Sequence, residues 1–513
     1  MIYQQRKIIT IGRIDLVQSN PVRVRFAPSP TGRTHIGSGR TALYNYLLAR
    51  QTGGTFILRI EDTDQKRYVP GAEKELIDSL HWLGIDWDEG PGVGGPNGPY
   101  YQTERKDIYQ EYAHQLIERG HAYYCFCTPE RLEKVRKEQI SRKENPRYDG
   151  LCRRLNPSEA AARVANGEMH VVRFKAPETG SVTGYDLLRG NITVDSSAMD
   201  DHVIVRSDGL ALYHLAAMVD DHLMGITHVF RGLEWLSTFW LHVSIIRAFG
   251  WQEPQWIHLS VFLKPSGKGK MSKRETSTLM QDGYSIFIKD LADLGYIPEG
   301  VVNWIALMGW SYDDKTEFFT MEDLIQKFNL DHLNPSPAAI NFTKLDHFNG
   351  MHIRNLTRDD LVSRLSPYLV KAGYQVDNDV LNRSIPIIRE RLVTLDDVVA
   401  VAGFFFKDEI TPSPAELIGD RLTAHESADI ARKSHQILAG LPRLTKDLAE
   451  PSMRQLVEDM TLSAGQVFGI LRVAVTGQKV SPPLFESMEI IGKDKVLDRI
   501  KTAIELLEKM DQA

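Results

Sequence analysis

The chain has 513 residues, 61 Lys and Arg against 67 Asp and Glu, a net charge of −6 and 42% hydrophobic residues. That length predicts about three domains, and the charge balance is that of an ordinary globular chain, which neither requires nor excludes a segregated basic face for nucleic acid. Three cysteines argue against a disulfide framework, no apolar run approaches the roughly 18 residues of a membrane span, and the first twenty residues lack the apolar core of a secretory signal, so a cytoplasmic location is expected.

In chain order, "VRVRF" (22–26) alternates in a strand period, "IGSGRTALYNYLLARQTGG" reads as a helix closed by glycines, and "TFILRIEDTD" reads as a second strand ending in acids. This is a βαβ unit and predicts a parallel sheet. Two more helical stretches, "GAEKELIDSLHWLGI" and "TERKDIYQEYAHQLIERG", flank the loop "EGPGVGGPNGPYY". The texture changes over 121–219, where the cysteines, a charged helix "PERLEKVRKEQISRKE" and short strands in "MHVVRFKAP" and "VIVRSDG" suggest a mixed α/β insertion. The strand–helix–strand pattern then returns in "ITHVFRG", "LEWLSTFWLHVSIIRAFG" and "PQWIHLSVFL", followed by the basic glycine loop "KPSGKGKMSKRE". From about Asn355 the pattern is helical, with Ile388, Leu392, Leu395, Val399 and Ala402 predicting one buried helical stripe and "DEITPSPAE" a linker.

The expected fold is therefore α/β, a Rossmann-like doubly wound parallel sheet with an α/β insertion, followed by an all-α C-terminal region. The boundaries are 1–20 as an extension, 21–120 and 220–285 as the sheet domain, 121–219 as the insertion, 286–354 as a helical domain and 355–513 as the helical C-terminal region.

Two motifs carry chemistry. In "FAPSPTGRTHIGSGR" the first strand turns on Pro-Ser-Pro-Thr-Gly into a helix at Ile36-Gly37-Ser38-Gly39, which predicts an anion site of free backbone N–H groups with His35 at its lip. The glycine spacing is neither that of the dinucleotide fingerprint nor that of the P-loop. In "KMSKR" (270–274) three cations sit on a loop softened by Gly267 and Gly269.

Both motifs, in this order and with "RIEDTD" and the insertion between them, resemble the class I aminoacyl-tRNA synthetases. Within that class, "RFAPSPTGRTHIGSGRTALYNYLLA", "FILRIEDTDQKR", "LGIDWDEGP", "YYCFCTPERL", "VDDHLMGITHVFRGLEWL", "KMSKRETSTL" and "LRVAVTGQKVSPPLFESMEIIG" are similar to the glutamyl-tRNA synthetases of bacterial and organellar type. The resemblance runs from about Val22 to near the C-terminus. It implies ATP-dependent formation of glutamyl-adenylate with release of pyrophosphate, then transfer of glutamate to the 3′-terminal ribose of tRNA(Glu) with release of AMP. It also implies an acceptor-binding insertion, an anticodon-reading helical region and a monomer, and it leaves open whether tRNA(Gln) is charged as well.

Residue by residue, the resemblance assigns Arg25, Ala27, Ser29, Glu61, Tyr213 and Arg231 to the glutamate pocket. Two arginines suit two carboxylates and Glu61 suits the ammonium, with Arg25 and Tyr213 expected on the side-chain carboxylate and Arg231 on the α-carboxylate. It assigns His35, Gly37, Glu234 and Lys273 to ATP, and His35, Lys270 and Lys273 to phosphate activation, with Mg²⁺ on the phosphates. No protein nucleophile is required, so catalysis is positioning and charge stabilisation. The charged segment "RLEKVRKEQISRKENPR" is expected to grip the acceptor end electrostatically.

Four features depart from the pattern or stand apart from it. Ser38 replaces a second histidine, and Ala217 stands where some members have an asparagine. Cys125, Cys127 and Cys152 resemble a zinc set that some relatives carry, but its fourth position is Arg154, which argues against zinc and leaves Tyr148 or His170 as substitutes only if the fold happens to bring them in. "DDH" (220–222) reads as a structural segment on a short strand. Among rivals, the truncated glutamyl transferase that modifies a tRNA base and the glutaminyl enzymes disagree with a long helical C-terminal region, and a small nucleotidyltransferase disagrees with the size of the chain.

Overall fold

The computed structural model describes residues 21–271 and 276–512. They fall into two compact units: the residues up to 271 together with Ile305–Ile340, and the residues from 276 to Trp304 together with those from Asn341 on.

The first unit is built on a six-stranded sheet. Its strands are β1 (Arg23–Phe26), β2 (Thr55–Leu58), β5 (Ser181–Asp186), β6 (Gly190–Asp195), β8 (His228–Gly232) and β9 (Gln255–Leu259), in the order β2-β1-β8-β9-β5-β6. All neighbours are parallel except β5 and β6, which form an antiparallel hairpin. The chain leaves β1 for β2 on one side and later adds β8 on the other, so β1 and β8 flank the point at which the winding reverses, where ligands of such sheets bind at the carboxyl ends of the strands. The helix Ile36–Thr52, buried at ten positions and closed by Gly53 in the left-handed region (φ 65°), makes the crossover from β1 to β2.

A second sheet, β3 (Ala122–Cys125), β4 (Val171–Phe174) and β7 (Val203–Val205), is antiparallel in the order β3-β4-β7. The 121–219 boundary cuts across this architecture. β5 and β6 lie inside it in sequence yet belong to the large sheet, and Tyr124, Val172, Phe174 and Val205 share one apolar core with Ile57, Val229 and Trp256. Burying both faces of a three-stranded sheet requires a neighbour, and the large sheet's helices supply it. After β9 the chain forms β10 (Phe262–Leu263), paired with β11 (Ala338–Ala339).

The second unit is helical throughout and holds two apolar cores, one from Ile297 through Ile410 and one from Leu417 to Leu507. The predicted linker spans the change from one core to the other. The stripe expected over 388–402 is buried at Ile388, Leu392, Leu395 and Ala402, but it is not one helix. The helix Asn378–Ile388 ends in a 3₁₀ turn, and a new helix starts at Asp397, whose Oδ2 accepts from the backbone N–H groups of Val393 and Thr394, both at 2.8 Å. With the chain restarted there, Val398 takes the fully buried place expected of Val399.

Candidate active site

A cavity of about 660 Å³ opens at the carboxyl ends of β1 and β8, and all six residues expected around glutamate line it: Arg25, Ala27, Ser29, Glu61, Tyr213 and Arg231. Arg25 is not a surface residue of an edge strand, because β1 is flanked on both sides and the residue is 3% exposed. Its Nε and Nη2 donate to the two oxygens of Asp221 at 3.1 and 3.4 Å, and Nη1 donates to the carbonyl of Phe230 at 3.2 Å.

Arg59 and Trp235, which sequence reasoning passed over, and the acids of "DDH" complete the surroundings of this cavity. Arg59, fully buried, pairs with Glu61 at 3.0 Å, Asp221 at 2.9 Å and Asp220 at 3.5 Å. It was legible in principle: two residues apart on extended chain, Arg59 and Glu61 must face the same way. Trp235 stacks on Tyr213 with ring centroids 3.9 Å apart and lines the cavity beside it. Asp220 and Asp221 lie on the helix Tyr213–Leu223 rather than on the predicted short strand, because apolar Leu215, Ala216, Met218 and Val219 bury on several sides at helical spacing. There Asp220 accepts from Gln102, Arg105 and Tyr109 at 2.7 to 2.9 Å, and His222 stacks on Trp251. Ala217, one turn past Tyr213, is fully buried.

Burial pushes Glu61 up to about 7 against the pull of Arg59 and Arg25. Arg231 is 4% exposed and touches no carboxylate: Nε donates to His258 Nε2 at 2.8 Å, Nη1 to His242 Nδ1 at 2.9 Å, and Nη2 has no hydrogen-bond partner among the described residues.

His35, Gly37 and Glu234, expected around ATP, stand outside this lining. The free N–H groups predicted at the start of the helix Ile36–Thr52 are instead capped by the histidine itself: His35 Nδ1 accepts from Gly37 N–H at 3.0 Å and Ser38 N–H at 3.2 Å. An accepting Nδ1 carries no proton, so Nε2 is the donor end of the neutral ring. A Cβ on Gly37 would meet the His35 ring at 2.9 Å, so the glycine makes room for this cap. Glu234 is exposed on the 3₁₀ turn Leu233–Thr238, its carboxylate folded over Gly232. Lys270 is exposed on a hairpin whose turn uses Gly267 and Gly269 at φ 72° and 79°, and it bridges Leu263. Lys273 lies outside the described residues.

In the smaller sheet the sulfurs of Cys125, Cys127 and Cys152 lie within 4.8 Å of one another. The fourth side is taken by neither Arg154 nor His170: the Tyr148 hydroxyl lies 3.5 Å from Cys125 Sγ and 3.4 Å from Cys127 Sγ. A tetrahedral cation with bonds of 2.3 Å needs sulfurs about 3.8 Å apart, and the 3.6 Å between Cys127 and Cys152 suits that spacing. Burial pushes the Cys127 thiol up to about 11, while hydrogen bonds from Tyr148, the Cys127 backbone and Arg173 outweigh burial at Cys125 and bring it down.

Residues 21–347 match the catalytic domain of the class I tRNA synthetases for E and Q, and residues 360–504 match an anticodon binding domain. The chain belongs to this class of tRNA synthetases. It is 44% identical to a glutamate–tRNA ligase of Dehalococcoides mccartyi, over 96% of this chain and 99% of that one, and 44% identical to one of Borreliella burgdorferi, over 94% and 99%. A crystal structure of a glutamate tRNA ligase from Elizabethkingia meningosepticum in complex with its amino acid superposes with a TM-score of 0.87 at 34% identity, covering 95% of this chain and 99% of that one. Within the class, the family is that of the glutamate–tRNA ligases.

Proposed function

We propose that the cavity between β1 and β8 binds glutamate and presents it for activation by ATP and transfer to tRNA(Glu). The observation that carries this reading is the buried charge. Arg25, Arg59 and Arg105 pair with Glu61, Asp220 and Asp221, whereas Arg231, which lines the cavity, bonds only to imidazoles and keeps an Nη2 without a hydrogen-bond partner among the described residues. A carboxylate of the ligand would give Arg231 the partner it lacks, and buried charges require such pairing. In this reading Arg231 takes the α-carboxylate, Arg25 and Tyr213 the side-chain carboxylate, and Glu61 with Ala27 and Ser29 surrounds the ammonium. No residue acts as a nucleophile: the α-carboxylate of glutamate attacks the α-phosphate of ATP and pyrophosphate leaves, and a terminal ribose hydroxyl then attacks the acyl carbon and displaces AMP.

His35, through Nε2–H, and Lys270 and Lys273 on their loop are read as the donors that stabilise the phosphates, with Gly37 and Glu234 near the nucleotide. Mg²⁺ would neutralise the phosphate oxygens. Cys125, Cys127, Cys152 and Tyr148 would hold a structural zinc ion that braces the smaller sheet and takes no part in the chemistry.

The test is aminoacylation with labelled glutamate on transcripts of tRNA(Glu) and tRNA(Gln) in parallel, with Arg231→Gln as the comparison. Charging of tRNA(Glu) that collapses in the variant through a raised KM for glutamate supports the reading, and charging of neither transcript sinks it. Charging of both would mark an enzyme that does not discriminate between the two acceptors.

A further inference from the structure

Arg231 is buried with no carboxylate in hydrogen-bond contact among the described residues, and its surroundings explain how that is tolerated. Its Cζ lies 4.6 Å from the centre of the Trp256 ring, and its two bonded nitrogens face imidazoles. The nearest carboxylate that acts on it, Asp221, is already committed to Arg25 and Arg59.

The hydrogen bonds determine which nitrogen of each ring holds the proton. Asp186, fully buried at the end of β5, accepts through Oδ1 from the N–H groups of Leu188 and Arg189 and through Oδ2 from the N–H of His258. Its Oδ2 also meets His258 Nδ1 at 2.7 Å, and a carboxylate so surrounded accepts only, so Nδ1 bears the proton and Nε2 is bare to receive Arg231 Nε–H. Guanidinium groups only donate, so His242 Nδ1 is likewise bare, its Nε2–H donates to His214 Nδ1 at 2.9 Å, and His214 in turn keeps its proton on Nε2. One carboxylate and one guanidinium thus set three rings.

We infer that His258, oriented by Asp186, and His242, backed by His214, form a neutral, acceptor-only clamp that aims Nη2 of Arg231 into the cavity and leaves its charge uncancelled, so that the anion is supplied by the substrate. These are positioning residues. The inference rests on the proposed placing of glutamate against Arg231 and adds what makes that arginine selective. An acidic residue in place of either histidine would hold the guanidinium equally well and still ruin the site, because it would neutralise Arg231 from behind. The groups that act most strongly on His258 are Asp186, Arg231 and Arg189, and those on His242 are Arg231, His214, His258 and His202.

The experiment compares His242→Gln, which keeps a neutral acceptor, with His242→Glu, which brings a charge of similar size, in the full-length enzyme with tRNA(Glu). KM for glutamate and for ATP and the thermal midpoint are measured for each. The expected result is a KM for glutamate within about fivefold of the parent for the Gln variant and raised at least fiftyfold for the Glu variant, with KM for ATP unchanged in both. Equal glutamate KM in the two variants, at either level, would overturn the clamp. If either variant does not fold, the same comparison at His258, Gln against Glu, decides by the same criterion. Arg231→Gln is run beside them: an unchanged glutamate KM there would remove the placing of glutamate itself, a failure distinct from that of the clamp.

Discussion

Glu61 accepts from Arg59, two residues earlier, at 3.0 Å, and both side chains are buried at the mouth of β2. The pair stands in a low-dielectric pocket where one more or one fewer proton changes the charge the ligand meets.

Because burial pushes Glu61 up to about 7, its carboxylate is half ionised near neutrality and becomes a better partner for an ammonium group as pH rises. KM for glutamate is expected to fall several-fold between pH 6 and 8. In Glu61→Gln it should be flat over that range and raised about 10- to 100-fold, the size of one hydrogen bond to a charged group. Steady-state kinetics at fixed ionic strength checks this, and a pH-dependent glutamate KM surviving in the variant would assign the titration elsewhere.

Arg59→Met should destabilise the first unit by about 3 to 5 kcal/mol, since it leaves Glu61 and Asp221 to Arg25 alone in a buried place. Chemical denaturation followed by tryptophan fluorescence measures it. A loss below about 1 kcal/mol would mean that the carboxylates take up protons without penalty.

The cap at His35 separates stability from chemistry. His35→Asn retains a capping oxygen and should keep most of the stability, whereas His35→Ala costs about 1 kcal/mol, and both should lose at least about a hundredfold in the rate of charging if Nε2–H serves the phosphates. Gly37→Ala should resemble the charging defect without removing the histidine, because its methyl group pushes on the ring. Single-turnover charging with thermal midpoints distinguishes these outcomes.

Burial brings His214 and His258 down to about 4 and His242 well below its ordinary value. Below pH 6.5 the unfolded chain takes up protons that these rings refuse while folded, so their contribution to stability is lost as pH falls from about 6.5 to 4. Glu61 acts with the opposite sign between 4.5 and 7, but it is one proton against three. The thermal midpoint is expected to drop over this range, and to drop less steeply in His258→Gln; a midpoint constant from pH 7 to 4.5 would contradict the buried neutral rings.

Metal analysis of purified protein should find one zinc per chain, lost in Cys152→Ser and weakened in Tyr148→Phe, with glutamate activation intact. Its absence from protein prepared without chelators would leave the thiols as packing alone.

Local chemistry carried much of this molecule. Alternation in "VRVRF" and "TFILRI", the glycine-closed helix after them and the dipeptide spacing of Arg59 and Glu61 are properties of neighbouring residues, so strands, helix and crossover could be read directly, as could the residue types that a dicarboxylic ligand needs. What sequence could not supply were distances between residues far apart in the chain. Arg25 meets Asp221 across 196 residues of chain, and Arg231 meets His242 and His258, and Tyr148 rather than Arg154 the thiols, only once the elements that carry them are packed together. The helix Tyr213–Leu223 and the break at 392–396 escape local reading for the same reason: a segment buried on several sides, or held open where Leu395 N–H donates to the distant carbonyl of Gly295, has lost the simple period that such reading depends on. The residue types were local decisions; the proton on each buried histidine, and the charge left over for the ligand, were decided by the packing of the sheet.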